Sequence, residues 1–215
     1  ESVIIYCFSR KNTEEVARKL ASVGHTALPY HAGLQKDLRR KTQEQFIRDE
    51  VQIIVATIAF GMGIDKPDVR VVAHMDLPKT IEGYYQETGR AGRDGLPSEC
   101  VLFYSYSDRR KQEFFINQID DIDEQMLAFT KLDQMTSYCE SDACRRHTLL
   151  NYFGEDYQET ICTACDNCTA PAAEEVDATE VSQKVLSAII RLNERFGVAY
   201  VCDVMRGSKK KRILE

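Results

Sequence analysis

Nowhere in these 215 residues do about 18 apolar side chains run together, so no transmembrane helix is expected. The opening Glu1-Ser-Val-Ile-Ile-Tyr6 has no basic stretch ahead of its apolar run and no small-residue cleavage site, so it is not expected to be a secretion signal. It reads as a strand without a leader, as though the chain begins mid-protein. No Gly-x-x-x-x-Gly-Lys-Ser/Thr occurs, so nothing here cradles α- and β-phosphates or holds Mg2+ in the P-loop manner. No Asp-Glu-x-His occurs either, so an acid of that motif to orient an attacking water is missing. Eight cysteines without a secretion signal point to reduced thiols or a metal rather than a disulfide framework. An intracellular place follows as an expectation: cytoplasm or nucleoid in a bacterium, nucleus in a eukaryote, with no membrane partner. A net charge of −6 argues weakly against a protein dominated by nucleic-acid electrostatics. The charge is uneven, however, with basic clusters at 39–41, 109–111, 145–146 and 209–212.

What is present begins with about a hundred residues that alternate buried strand and amphipathic helix. Strands are expected at Val3–Phe8, Thr26–Tyr30, Val51–Ala56, Val69–Met75 and Glu99–Tyr104. Asn12, with Glu15 three residues on, is the expected cap of the first helix. A second helix is expected from Gln35 to Asp49, with Leu38, Thr42, Gln45 and Phe46 inward, and a third from Thr80 to Arg93. Single helices between strands imply parallel pairing and right-handed crossovers, hence an α/β domain over 1–106. Beyond Ser107, a plausible cap, residues 108–153 read as helices alone. Cysteines crowd 162–168, and 107–170 is taken as one subdomain. An alanine, proline and acid stretch at 171–179 reads as a linker. The last segment, 180–215, opens with an amphipathic helix from Val181 to Phe196, ended by Gly197, and has too few residues to bury that helix's apolar face.

Three loops carry the chemistry. In Gln86-Glu-Thr-Gly-Arg90-Ala-Gly-Arg93-Asp-Gly95, two arginines three apart would share one face of a helix end. Their guanidinium forks match a phosphate, the equipment of an arginine finger. In Ala56-Thr57 through Gly61, Gly63 and Asp65, glycines let backbone N–H groups approach an anion, and Thr57 at a strand end can donate to a phosphate. His31, in Tyr30-His-Ala-Gly-Leu34, sits at another strand end and carries little weight alone.

Together these segments resemble the second RecA-like domain of superfamily 2 helicases, and within them the RecQ family. Tyr6-Cys-Phe-Ser9-Arg10 is similar to motif IV, Ala56-Thr57 through Pro67 to motif V, and Gln86–Gly95 to motif VI. The resemblance implies a RecA-like parallel sheet with flanking helices, followed by a helical zinc-binding subdomain and a truncated winged-helix start. It implies nucleotide contacts at Gly63, Asp65, Gln86, Arg90 and Arg93, with Arg90 and Arg93 reaching the γ-phosphate across an interdomain cleft. Single-strand DNA contacts are implied at Ser9, Arg10, His31 and Thr57. The partners implied are DNA, as a single strand on this lobe and as duplex on the complete winged helix, and the first RecA-like domain of the same protein. ATP and Mg2+ belong to the full enzyme, with the Mg2+ ligands outside this chain.

The resemblance also accounts for Cys144, Cys162, Cys165 and Cys168, spaced C-x17-C-x2-C-x2-C. Four thiolates suit one structural Zn2+. A ferredoxin-like run is disfavoured because residue 172, the next position of that pattern, is alanine. His147 and Cys139 are weaker ligand candidates, and Cys7, Cys100 and Cys202 read as buried thiols. The function expected is that of the carboxyl-terminal part of an ATP-dependent 3′ to 5′ DNA helicase of recombination and repair, inactive alone. A non-catalytic zinc-containing DNA-binding or scaffold module is the alternative, and an α/β protein that merely shares the sheet is a third.

Overall fold

Five short strands, three of them (β1, β3 and β4) mostly aliphatic, pair into one parallel sheet: β1 (Ser2–Tyr6), β2 (Ala27–Tyr30), β3 (Ile53–Ala56), β4 (Val69–His74) and β5 (Glu99–Leu102), in the order β2-β3-β1-β4-β5. The computed structural model describes residues 1–60, 65–171 and 176–210, in two compact units, Glu1–Thr169 and Ala170–Glu215. Every residue of β3 is buried, as a strand covered on both faces requires. Ile54 of this strand and Ile4, Val72, Phe46 and Phe60 packed with it are fully enclosed. Helices α1 (Arg10–Ser22), α2 (Lys36–Ile47) and α3 (Ile81–Thr88) supply the crossovers.

The register matters more for function than the packing does. Tyr30 pairs with Ala56, Ala56 with Tyr6, Tyr6 with His74, and His74 with Leu102. These residues form one row at the carboxyl edge of the sheet. The segments after Tyr6, Tyr30 and Ala56 therefore leave from a common edge, where ligands of open parallel sheets gather.

Local details differ from the sequence expectations in four places. Ser9, not Asn12, caps α1: its side chain accepts from Asn12 N at 3.1 Å, and its carbonyl from Thr13 N at 3.0 Å. Ser105, not Ser107, caps α4 (Tyr106–Ile116), in a capping box closed by Asp108. Leu38 is 48% exposed, while Thr42 and Phe46 of the same helix are buried. Gly197 starts α9 (Val198–Met205); α8 (Thr179–Arg191) ends earlier, in a turn where Asn193 and Glu194 take positive φ.

Helices α4, α5 (Ile122–Glu140) and α6 (Arg145–Tyr152) follow the sheet. Leu132, Met135 and Tyr138 of α5 pack on Leu77, Ile81 and Tyr84, fixing the helical module to α3. The buried Gln112 side chain donates to Leu77 O at 2.9 Å, and Lys131 pairs with Glu82 at 2.7 Å. In the second unit, Val181, Leu186 and Ile190 of α8 stay largely exposed.

Candidate nucleotide and nucleic-acid site with a cysteine metal centre

Ser9 and Arg10 stand where β1 turns into α1. The cap bond occupies a lone pair of the Ser9 hydroxyl and leaves its proton to donate, while Arg10 is exposed on the first helical turn. Backbone N–H groups of such a turn favour an anion. Thr57, half-buried after β3, is tied to the next strand end by its N–H to Tyr30 O at 3.1 Å. His31 follows Tyr30 directly and is only 3% exposed, with Nε2 3.2 Å from Glu14 Oε1. A direct contact by an open loop histidine is thus not what the geometry offers. Gly63 lies outside the described residues.

The two arginines part company. The expected helix to Arg93 stops at Thr88, because Gly89 and Gly92 break it into tight turns. Gly92 has φ +63°, and a Cβ there would lie 2.6 Å from Ser98 Oγ and 2.9 Å from Leu96 O. The guanidiniums therefore do not share one helical face. Arg90 is 5% exposed and lies beside the Tyr6 phenol; its Nε has no hydrogen-bond partner. Burial raises the Tyr6 phenol far above its usual range, and Arg90 pulls the other way. Tyr6 donates to Phe60 O at 2.9 Å and stacks on His74 at 5.1 Å between ring centres, and His74 Nε2 meets Glu87 Oε2 at 2.7 Å. Arg93 is at the surface, with Nη1 3.2 Å from Asp65 Oδ1 and Nε donating to Gly89 O at 3.2 Å. Gln86 is exposed on α3. Replacing Gly92 with alanine is expected to destabilise the domain by about 2 kcal/mol or more, from left-handed strain plus the clash. Denaturant unfolding checks this; a change below about 0.5 kcal/mol would count against the tight turn, being the size of an ordinary surface substitution.

The four cysteines converge. The Sγ atoms of Cys144, Cys162, Cys165 and Cys168 all lie within 4.8 Å of one another. Ligand sulfurs about 3.8 Å apart would follow from tetrahedral bonds of about 2.3 Å, so a small contraction seats an ion. Backbone N–H groups already point at the sulfurs: Arg145 N to Cys165 Sγ at 3.4 Å, Cys162 N to Cys168 Sγ at 3.4 Å, and Cys165 N to Cys162 Sγ at 3.3 Å. Such donors favour thiolate at Cys162, where the N–H of Ala164 foremost, then that of Cys165, lowers the thiol to about 6. At Cys168 the Cys162 N–H is outweighed by burial and the neighbouring cysteines, which push that thiol up to about 12. An all-sulfur, N–H-lined cage fits one structural zinc. Cys144 opens α6 as its cap residue. His147 contacts Asn151 and, like Cys139, is not a member of the cluster.

Arg145, read from sequence only as part of a basic cluster, locks this cage. It makes a two-pronged pair with Asp166, both bonds 3.1 Å, and also donates to Asn167 Oδ1 and to the Tyr138 and Cys139 carbonyls. Asn167 Nδ2 donates to Ser141 O and Ala143 O, each at 2.7 Å. The cysteine loop is thereby tied to the end of α5 and the start of α6. Cys7 is buried as expected, but Cys100 and Cys202 are exposed. Among the described residues no helix is long and apolar enough to cross a membrane.

Three family models match the chain in sequence: the helicase conserved C-terminal domain over residues 1–95, RecQ zinc-binding over 106–169, and the RQC domain over 172–215. The chain is 46% identical over all 215 residues to the ATP-dependent DNA helicase RecQ of Haemophilus influenzae, covering 34% of that protein. It is likewise 46% identical over its full length to the Bacillus subtilis protein of the same name, covering 36% of it. Against the ATP-dependent helicase SGS1 of Saccharomyces cerevisiae it is 42% identical, with 99% of this chain and 15% of the yeast protein covered. The chain thus spans about a third of the length of its bacterial relatives.

Proposed function

We propose, on the premise that this chain belongs to the RecQ family of superfamily 2 helicases, that it supplies the second motor lobe of an ATP-dependent DNA helicase. The observation that carries the reading is the common carboxyl edge of the sheet. Ser9–Arg10, His31 and Thr57 leave one row of paired residues, and motif VI follows the neighbouring strand β4 through α3. One end of that edge presents donors suited to the phosphates of a single strand. Arg93, on the turn after α3, presents a charged fork to a γ-phosphate.

In this reading the work divides between two lobes. The lobe with the P-loop, the Mg2+ ligands and the acid that orients water lies outside these residues. When ATP draws the lobes together, Arg93 exchanges Asp65 for γ-phosphate oxygens and neutralises the charge that develops there. The pair is a modest one to break, because Asp65 is 93% exposed and its attraction is screened by solvent. Arg90, buried with its Nε unpartnered, joins the nucleotide network to Tyr6. Gln86 and, in the nucleotide loop, Gly63 and Asp65 complete the nucleotide contacts.

Hydrolysis reopens the cleft, and the strand held by Ser9, Arg10 and Thr57 advances 3′ to 5′. The zinc module braces the lobe through α5, and the completed winged helix takes the duplex. Such an enzyme works inside the cell, in recombination and repair. The test is unwinding by the full-length protein. A partial duplex with a 3′ single-stranded tail is expected to open in ATP, and one with a 5′ tail to stay closed. Equal opening of both, or of neither, would contradict the assignment.

A further inference from the structure

Directly after β2, Nδ1 of His31 is buried and without a hydrogen-bond partner. A buried polar atom left open in a native site calls for an account. Its surroundings are built with care. Arg10 and Glu14 lie four apart on α1 and share one helical face. Glu14 Oε1 meets His31 Nε2 at 3.2 Å; in the neutral imidazole this contact calls for the proton on Nε2, and Nδ1 is then the acceptor. Gly33, in the turn closed by Leu34 N to His31 O at 3.1 Å, leaves the space that the arginine uses. A Cβ on Gly33 would lie 3.0 Å from Arg10 Nη1, 3.1 Å from Arg10 Cδ and 3.1 Å from His31 Nδ1. One small volume is thus bordered by the guanidinium, by the open imidazole nitrogen and by a residue with no side chain.

We propose that Glu14 and His31 position Arg10 for a phosphate of the bound single strand. Glu14 holds the imidazole with Nδ1 toward the Gly33 hollow. On strand binding Arg10, lying across that hollow, turns one N–H onto the open Nδ1 and directs the rest of its fork at the phosphate. His31 is then a positioning residue, and its near-complete burial suits that role better than direct contact. The proposal rests on the reading of Arg10 as a strand contact, and its test separates the two.

Binding of an oligothymidine to the full-length protein is measured across a salt series for Arg10→Ala, His31→Phe, His31→Asn and the double variant Arg10→Ala/His31→Phe. Loss of a charge-assisted contact predicts about tenfold weaker binding for His31→Phe. The slope of log affinity against log salt should flatten by about 0.7, the share of one phosphate on a single strand. The double variant should be no weaker than Arg10→Ala beyond about twofold, because both changes remove one contact. Asparagine can set its amide oxygen near the Nδ1 position, so His31→Asn should stay within about threefold of wild type. Additive losses, or an asparagine variant as weak as phenylalanine, would overturn the positioning role while leaving the strand reading intact. An Arg10→Ala variant that binds like wild type would overturn both. Should His31→Phe fail to fold, Glu14→Leu at its exposed helical site carries the same test of additivity against Arg10→Ala.

Discussion

Serine at position 165 is expected to cost the protein its zinc and to loosen the whole helical module over 106–169. A metal that organises a folded site contributes its binding energy to folding, apparent values being about 10–16 kcal/mol in zinc-finger peptides. Here part of that energy is secured independently, since α5 packs on α3 through Leu132, Met135 and Tyr138. A loss of about 4 kcal/mol is therefore a modest expectation, equivalent to a melting temperature lower by about 10 °C in a chain of this size. Metal analysis should fall from one zinc per chain toward none, and the melting curve should broaden as the module uncouples from the sheet. A Cys165→Ser protein that keeps its zinc and its melting temperature would contradict the four-sulfur site. Iron with inorganic sulfide in the wild type would contradict the identity of the metal. Acid should act in the same direction, because protons compete with the ion for the thiolates.

The second large effect is expected at Arg93. Its replacement by alanine in the full-length protein should lower ATP turnover about 10³-fold or more, the scale of a missing arginine finger, with ATP affinity changed by less than about tenfold. Lysine should rescue poorly, since a point charge cannot reproduce the fork on two phosphate oxygens. Arg90→Ala should behave differently. That side chain is 5% exposed beside Tyr6, within a buried set that includes the His74–Glu87 pair. Removing it leaves a void and an altered charge balance, so lost stability should accompany lost turnover. Single-turnover hydrolysis, read beside thermal melting, separates the two arginines. Equal melting temperatures for both variants would undo this distinction.

That difference marks the limit of what the residues said on their own. The strands were legible because buried parallel strands are written as short aliphatic runs, and Ile53 to Ala56 is one. The cysteine site was legible because three of its ligands lie within seven residues, so local spacing alone forms most of the cage. The arginines were misplaced because Ile81 to Arg93 keeps a helical look. Gly92's left-handed φ depends on Ser98 and Leu96 closing over it, contacts that no periodicity displays. Asn12 and Ser9 are both good caps, and the end of β1 decided between them. The setting of His31 was hidden for a different reason: its partner Glu14 lies on another element, and Arg10 comes beside it only where Gly33 leaves room. Arg145 resembled a solvated basic face until the fold brought Asp166 and Asn167 to it. Long-range polar pairs of this kind leave no local signature.

The account stands on the claim that these residues form half of an ATP-hydrolysing site, with Arg93 acting across a cleft on a nucleotide held elsewhere. Steady-state ATP hydrolysis by the isolated 215-residue chain, with saturating single-stranded DNA and Mg2+, tests that claim most directly. The prediction is no turnover above the buffer rate, from a chain that is folded and carries its zinc. Appreciable DNA-stimulated turnover that disappears on Arg93→Ala would show a complete site within these residues and would contradict the account.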